Sequence, residues 1–165
     1  MGDAVVYAAY GVGLVAVRER RLVLGVEQDV VVLELAGGLS VTLPVARARE
    51  QLRPPVSEAG IRRVQETLRD DGEPSREVWL KRKRQTEAKL TGGDPMKLAE
   101  VVRDGVRRKQ TLLAEKRNSR LSLGENDLYE KARQLLVGEI GVACGFDPAE
   151  ADAWIDEQIG AARAA

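Results

Sequence analysis

The stretch VVVLELAGGLSVTLP, residues 30–44, is the strongest indication of structure in the N-terminal part of the chain. Its two apolar, β-branched runs, 30–35 and 39–43, are typical of strands. Gly37-Gly38 between them tolerates the positive φ angles that a tight turn requires. Pro44 ends the second run, because proline has no N–H to donate to a sheet. The stretch therefore predicts a β-hairpin.

Two more aliphatic runs, 4–7 and 14–17, precede this hairpin. Glycines predict turns at 11–13 and 25–29. Pro54-Pro55 then closes the segment as a stiff linker. Several short strands in such a short segment predict a small barrel, because closure removes exposed sheet edges.

After Pro55 the apolar residues recur at helical spacing, and we predict about five helices. Their predicted starts are Ser57, Ser75, Asp94-Pro95, the capping box from Ser122 to Glu125, and Asp147-Pro148. The predicted fold class is α+β with two domains. A small β-domain occupies residues 1–55, and an all-α domain occupies residues 56–165.

The composition excludes several common kinds of catalytic site. The chain of 165 residues has no histidine, which excludes Ser-His-Asp and Cys-His nucleophiles and imidazole metal sites. Cys144 is the single cysteine, and we expect it to behave as a small buried apolar residue. The segment Gly11-Val12-Gly13 is too short for a dinucleotide fingerprint. We therefore expect a non-enzymatic protein without cofactor, metal or small-molecule ligand.

Two further features indicate location. No apolar run approaches the roughly 18 residues of a membrane-spanning helix. Met1-Gly2-Asp3 does not begin a basic segment followed by an apolar one, so no secretory signal is expected. The sequence predicts a cytoplasmic protein.

The net charge of zero hides an uneven distribution. Residues 1–72 carry a balance of −1, residues 73–121 of +7, and residues 122–165 of −6. Such asymmetry concentrates electric field where the chain average shows none. The central segment therefore points to contact with a polyanion.

The sharpest local feature is VWLKRKR, residues 78–84, at the front of the second predicted helix. An aromatic ring beside phosphate-binding cations is how minor-groove proteins pry at a base step, which makes Trp79 a candidate wedge. The alternative is a Trp79 buried against a neighbouring helix, as we expect for Trp154 at its core spacing. Composition alone leaves the two interpretations about even.

Further basic residues follow at Arg107-Arg108-Lys109, at Lys116-Arg117 and at Arg120. Each cluster by itself is explained as the solvated face of a long helix. Three clusters in one basic segment favour phosphate contact, without any pattern that predicts base readout.

Five blocks carry a resemblance to a known family: GDAVVY at 2–7, GVG at 11–13, KLTGGD at 89–94, AEVVRD at 99–104 and EKARQLLVGE at 130–139. In this order and behind a small β-domain, they resemble the CarD/CdnL family of bacterial transcription regulators. The resemblance spans nearly the whole chain.

The resemblance implies a Tudor-like domain that docks on the lobe of the RNA polymerase β subunit. It also implies a helical domain that contacts promoter DNA, in a protein expected to be monomeric. Trp79 stands where the family places a tryptophan that wedges into the minor groove at the upstream edge of the transcription bubble. The family's basic DNA contacts correspond to Lys81, Arg82 and Arg84. On the β-domain, Arg21 corresponds to a polymerase contact, and Thr42 stands where some relatives have a second arginine.

Two departures from the family concern the DNA contacts. The segment from Lys109 to Arg120 is predicted to be a longer and more basic loop than in relatives. Asn126 stands where a lysine is expected. DNA contact is therefore predicted to shift from the fourth helix to this loop.

Three classes of function remain at this point. The first is a regulator that stabilises the open promoter complex, by contacts made only with melted, kinked DNA. The second is a polymerase-docking module without DNA function. The third is an architectural DNA-binding protein that acts without polymerase.

Overall fold

The computed structural model describes residues 2–115 and 120–164. The chain divides into two compact units between Pro55 and Val56. In the described part of the first unit, the strands are β1 (Ala4–Tyr7), β2 (Gly11–Val23), β3 (Val26–Leu35), β4 (Ser40–Pro44) and β5 (Leu52–Arg53), and helix α1 (Val45–Gln51) lies between the last two.

The strands form one antiparallel sheet in the order β4-β3-β2-β1-β5. The predicted hairpin is confirmed, with positive φ at both Gly37 and Gly38. The turn predicted at 11–13 was wrong, because a short 3-10 helix at Ala8–Tyr10 makes that turn and β2 already begins at Gly11. The turn predicted at 25–29 is shorter than expected, since β3 already begins at Val26.

Strands β2 and β3 extend past their neighbours. Among the described residues, β1 pairs with β2 no further than Leu14, and β4 reaches β3 only from Val30 onward. Beyond the Glu19–Val30 pair, β2 and β3 pair only with each other, up to Val23 and Val26. We call residues 19–30 the ribbon.

The core of the first unit forms on β3 and β4, where Val31, Leu33 and Leu43 are buried with Ala48 of α1. Gly13 of β2 leaves room for this packing, because a Cβ there would lie 2.7 Å from Cδ2 of Leu35. Helix α1 thus helps to cover this core, together with Val5 of β1, Val15 of β2 and Leu52 of β5.

The second unit is helical. Its described helices are α2 (Glu58–Arg69), α3 (Trp79–Gly92), α4 (Pro95–Ala114), α5 (Leu123–Cys144) and α6 (Pro148–Ala164). The α+β class predicted from the sequence is confirmed.

Most predicted helix starts are confirmed by their caps. Ser57 accepts a hydrogen bond from the amide of Gly60, and Asp94 accepts one from Met96. Ser122 and Glu125 form the reciprocal capping box. The second predicted start was wrong: Ser75 accepts a bond from the amide of Glu77 in a local turn. The N-cap lies three residues later, at Val78, and α3 begins at Trp79.

The core of the second unit takes buried residues from all five described helices, including Leu90 of α3. Leu68 of α2, Val102 of α4, Leu136 of α5 and Ile155 of α6 are fully buried in it. The apolar face of α4 ends before Leu113, which is exposed. Cys144 is half-buried against this core, and burial raises the pKa of its thiol.

One buried carboxylate fixes the start of the unit. Glu139 of α5 is buried, and its Oε1 accepts a hydrogen bond from the amide of Val56 at 2.9 Å. A buried carboxylate needs such partners to offset its lost hydration.

Among the helices that the structure describes, none is long and apolar enough to cross a membrane. The described residues also contain no group of three or more potential metal ligands.

Candidate nucleic-acid interface

Trp79 is the first residue of α3 and is half-buried. Its ring lies against the start of α5, where a Cβ on Gly124 would come within 3.3 Å of Cζ2. It also lines a cavity of about 110 Å³ together with Arg82 and Tyr129. In the described part of the chain, Trp154 packs on the helical core and Trp79 does not belong to that cluster. The ring is therefore held in place without being enclosed.

The two neighbours of Trp79 are more exposed than the tryptophan itself. Val78 is 74% exposed and Leu80 is 69% exposed. Three consecutive apolar residues with partly or largely exposed side chains therefore lie at the start of α3, and we call them the wedge edge (residues 78–80). Exposed apolar patches of this kind mark contact surfaces.

The carboxylate of Glu125, which also lines the cavity, binds Arg82 of the same helix as the wedge edge. Glu125, at the third position of α5, lies 2.8 Å from Nη1 of Arg82. Nε of Arg108, on α4, lies 3.2 Å from the same Oε1, close enough for an ion pair but not aligned as a hydrogen bond. The side chains of Arg82 and Glu125 are only 15% and 14% exposed. Helices α3, α4 and α5 thus meet at one charge cluster, which we call the Glu125 cluster.

Arg82 connects this cluster to the wedge edge. Its guanidinium carbon lies 5.6 Å from the centroid of the Trp79 ring, in cation–π contact. Its Nε donates to the carbonyl of Glu77 at 2.9 Å, just before α3 begins. Arg82 therefore holds both the ring and the entry of the chain into the helix.

The other cations of the 81–84 run face solvent more openly. Lys81 is exposed and paired with Glu77, and its hydrogen bond lowers the pKa of that carboxyl. Lys83 lies 3.8 Å from Glu87. Arg84 is exposed and makes no ion pair within the described residues.

The predicted contacts on α4 are occupied within the unit. Arg107 donates to the carbonyls of Asp70 and Gly72, which ties the segment after α2 to α4. Lys109 lies 3.9 Å from the centroid of the Tyr129 ring and 3.6 Å from a carboxylate oxygen of Glu130. The role of Arg107, Arg108 and Lys109 in phosphate contact stays a prediction.

The prediction of a loop from Lys109 to Arg120 was wrong for residues 109–114, which belong to α4. Lys116 and Arg117 lie outside the described residues. Arg120 is exposed, and Asn126 on α5 lines an apolar recess with Leu113 and Leu123.

In the first unit, Arg21 lies on the ribbon opposite Gln28 and pairs with Glu19. Thr42 lies on edge strand β4 opposite Val32 and is exposed. Their partners Gln28 and Val32 are four positions apart on β3, so both side chains belong to one face, about 14 Å apart along the strand.

Sequence reasoning missed Glu125 and the exposure of Leu80. Glu125 was seen only as part of a capping box, and its second role depends on contacts 43 residues apart in sequence. A cue for Leu80 was present, since an aliphatic residue between a tryptophan and four cations has no core partner on its own helix face.

Two families match the two units. Residues 1–56 match the family described as CarD-like/TRCF RID domain, and residues 63–156 match the family described as CarD, C-terminal domain. A Tudor-like β-domain followed by this helical domain defines a class of transcription-associated regulators that interact with RNA polymerase. The chain belongs to the CarD family, a family of non-enzymatic transcription regulators.

Proposed function

We propose that this protein stabilises the open promoter complex of RNA polymerase. The first unit, residues 1–55, binds the polymerase β subunit, and the second, residues 56–165, binds promoter DNA at the upstream edge of the bubble. The wedge edge carries this proposal, because three consecutive apolar residues reach solvent beside exposed cations. In this proposal the protein is a cytoplasmic monomer located on the nucleoid through polymerase.

The wedge edge matches the chemistry of a minor-groove intercalator. Such proteins insert an apolar side chain at a base step and anchor it with cations on the flanking phosphates. Trp79 supplies the largest apolar surface, and Leu80 extends it on the solvent side. Lys81 and Arg84 lie one and four residues beyond Leu80, so both are about one helical turn or less from this edge, which suits flanking phosphates.

In this proposal the half-buried arginines position Trp79, in place of the phosphate contact that the sequence predicts for Arg82, Arg107 and Arg108. Arg82 and Arg108 are held by Glu125, and Arg107 is held by backbone carbonyls. They fix α3 on α4 and α5 and so position Trp79 before DNA arrives. A preformed wedge loses less conformational entropy on binding.

The energetic effect follows from differential binding. A contact made only with melted, kinked DNA shifts the equilibrium from the closed toward the open complex. A differential contact of about 1.4 kcal/mol changes the ratio of the two states tenfold.

The polymerase contact rests on the first unit. Arg21 is exposed on the ribbon, and Thr42 lies on the same face of the sheet. We propose that Arg21 contributes a charged contact to the β subunit and that Thr42 contributes a neutral one.

The test is the lifetime of open complexes on one promoter, after a competitor traps released polymerase. The wild-type protein should lengthen this lifetime severalfold, and Arg21→Glu should abolish the effect at limiting protein concentration. If the protein binds polymerase and the lifetime does not change, the protein is a polymerase-docking module. If it binds DNA equally well with and without polymerase and the lifetime does not change, the protein is an architectural DNA-binding protein.

A further inference from the structure

The end of the ribbon carries three exposed aliphatic side chains on an otherwise charged hairpin. Leu22 pairs with Glu27 and Val26 with Val23, so Leu22 and Val26 lie on opposite faces of the ribbon. Leu24 is 100% exposed, and Leu22 and Val26 are also exposed. The stem behind it carries paired charges, Arg21 with Glu19 and Arg20 with Glu27. Residues 22–26, which we call the apolar tip, contain no charged side chain.

The backbone of the apolar tip makes Leu24 more unusual. Strand β2 ends at Val23 and β3 begins at Val26, so Leu24 and Gly25 form a two-residue turn. Their φ angles are +50° and +81°, as in the mirror-image turns that join β-hairpins. Asn or Gly is strongly preferred at the first position, since a side chain branched like leucine rarely adopts positive φ.

Leu24 therefore stands in a disfavoured conformation and contributes no burial to the fold. An exposed residue in a disfavoured backbone conformation indicates a function that the surrounding fold supports. The apolar character of this position points to a partner surface that removes Leu24 from water.

We propose that the apolar tip inserts into an apolar recess of RNA polymerase beside the contact made by Arg21. This rests on the proposed function, in which residues 1–55 bind polymerase. The ribbon carries both features: Arg21 precedes the tip directly, so a partner that covers Arg21 also lies within reach of Leu24. A second copy of this chain is a poorer occupant, because three aliphatic side chains fall far short of the roughly 1,200 Å² of a stable interface.

The test is Leu24→Asn in the full chain, because this change moves stability and binding in opposite directions. Asn suits positive φ next to Gly25, so the melting temperature should stay the same or rise. Affinity for RNA polymerase should fall about tenfold, since asparagine does not replace the burial of leucine. Leu39→Asn is the matched control: Leu39 is an exposed leucine next to the other hairpin turn, and its replacement should leave polymerase affinity unchanged.

Four other results would overturn parts of this picture, each in a separate way. If Arg21→Glu weakens polymerase binding and Leu24→Asn does not, the tip has no role and the proposed function stands. If the wild-type protein does not bind polymerase, the proposed function fails first. If Leu24→Asn lowers the melting temperature, Leu24 is a structural residue. If the wild type sediments as a dimer and Leu24→Asn as a monomer, the tip serves self-association.

Discussion

Trp79 and Trp154 have opposite surroundings despite their shared residue type. Trp154 packs on the core of the helical unit, whereas Trp79 is held by Arg82 and by the start of α5. The same truncation should therefore have different consequences at the two positions.

Trp79→Ala should change the free energy of unfolding by about 1 kcal/mol or less, since little apolar core contact is lost. The same change should shorten the open-complex lifetime severalfold. Trp154→Ala should destabilise the fold by about 3 kcal/mol, near the lower end for a buried tryptophan, because its ring is partly exposed. Thermal melts and promoter lifetimes of both variants measure the two effects. A large melting loss for Trp79→Ala with an unchanged lifetime per folded molecule would contradict the wedge.

Glu125 is the residue on which the position of Trp79 depends. Glu125→Gln removes the carboxylate that Arg82 and Arg108 share. Both arginines are mostly covered, so the loss of their anion should destabilise the unit by about 2 kcal/mol. Trp154→Phe leaves Trp79 as the one tryptophan. In that background, Glu125→Gln should change the fluorescence of Trp79, because Arg82 loses its orientation. Glu87→Gln is the control: its pair with Lys83 is open to solvent, so it should cost less than about 0.5 kcal/mol. Equal effects of the two substitutions would remove the special role of Glu125.

At the scale of elements, helix caps were the most predictable feature. Ser57, Asp94 and Ser122 act within three residues of their own positions, so a local pattern is sufficient. The start of α3 was misplaced because Ser75 forms a turn with Glu77 and the extended Val78 begins the helix without a side-chain cap. Local signals could not separate these two outcomes.

Helix α1 was not predicted, because it depends on tertiary packing. Its seven residues, 45–51, directly follow Pro44, and only Ala48 among them is buried. Such a short helix is marginal by itself and forms here against β3 and β4.

The candidate site divides in the same way. The tryptophan and the basic run were visible because they are contiguous in sequence. The pairing of Arg82 and Arg108 with Glu125 was not visible, because it requires three helices to converge.

The packing of α4 against α5 requires a glycine at position 105. A Cβ on Gly105 of α4 would lie 2.2 Å from Cδ2 of Tyr129, whose hydroxyl accepts a hydrogen bond from Arg133. Gly105→Ala must displace this ring and should destabilise the unit by about 1–2 kcal/mol, although alanine favours helix. Gly160→Ala in α6 is the matched control, since nothing lies within 4 Å of its Cβ. It should raise stability by up to about 1 kcal/mol. Denaturant titration compares the two, and a stabilising Gly105→Ala would show that the helices separate easily.

At the scale of the whole molecule, the segment charges overstate the positive field of the helical unit. Helix α5 carries Glu125 and Glu130, which face Arg82, Arg108 and Lys109. The acidic segment of the sequence therefore neutralises part of the basic segment in space. Charge counted along the chain could not show this, because the partners are distant in sequence.

This neutralisation limits the expected salt dependence of DNA binding. If the exposed cations around the wedge edge reach about three phosphates, log affinity should fall against log salt with a slope of roughly −3. The uncorrected charge of the basic segment would predict a steeper response. A fluorescence titration of duplex DNA across a range of salt concentrations measures the slope.

Two substitutions test which arginine side chains contribute to the salt dependence of DNA binding. Arg84→Gln removes an exposed cation without an ion pair in the described part of the chain, so the slope should become shallower by about 1 with the melting temperature unchanged. Arg107→Gln removes a cation whose side chain is mostly covered and bonded to carbonyls of the segment after α2. It should lower the melting temperature and leave the slope unchanged, because the guanidinium of Arg107 already donates its hydrogen bonds within the fold. A shallower slope for Arg107→Gln with unaltered stability would mean that Arg107 leaves these carbonyls for phosphate when DNA binds.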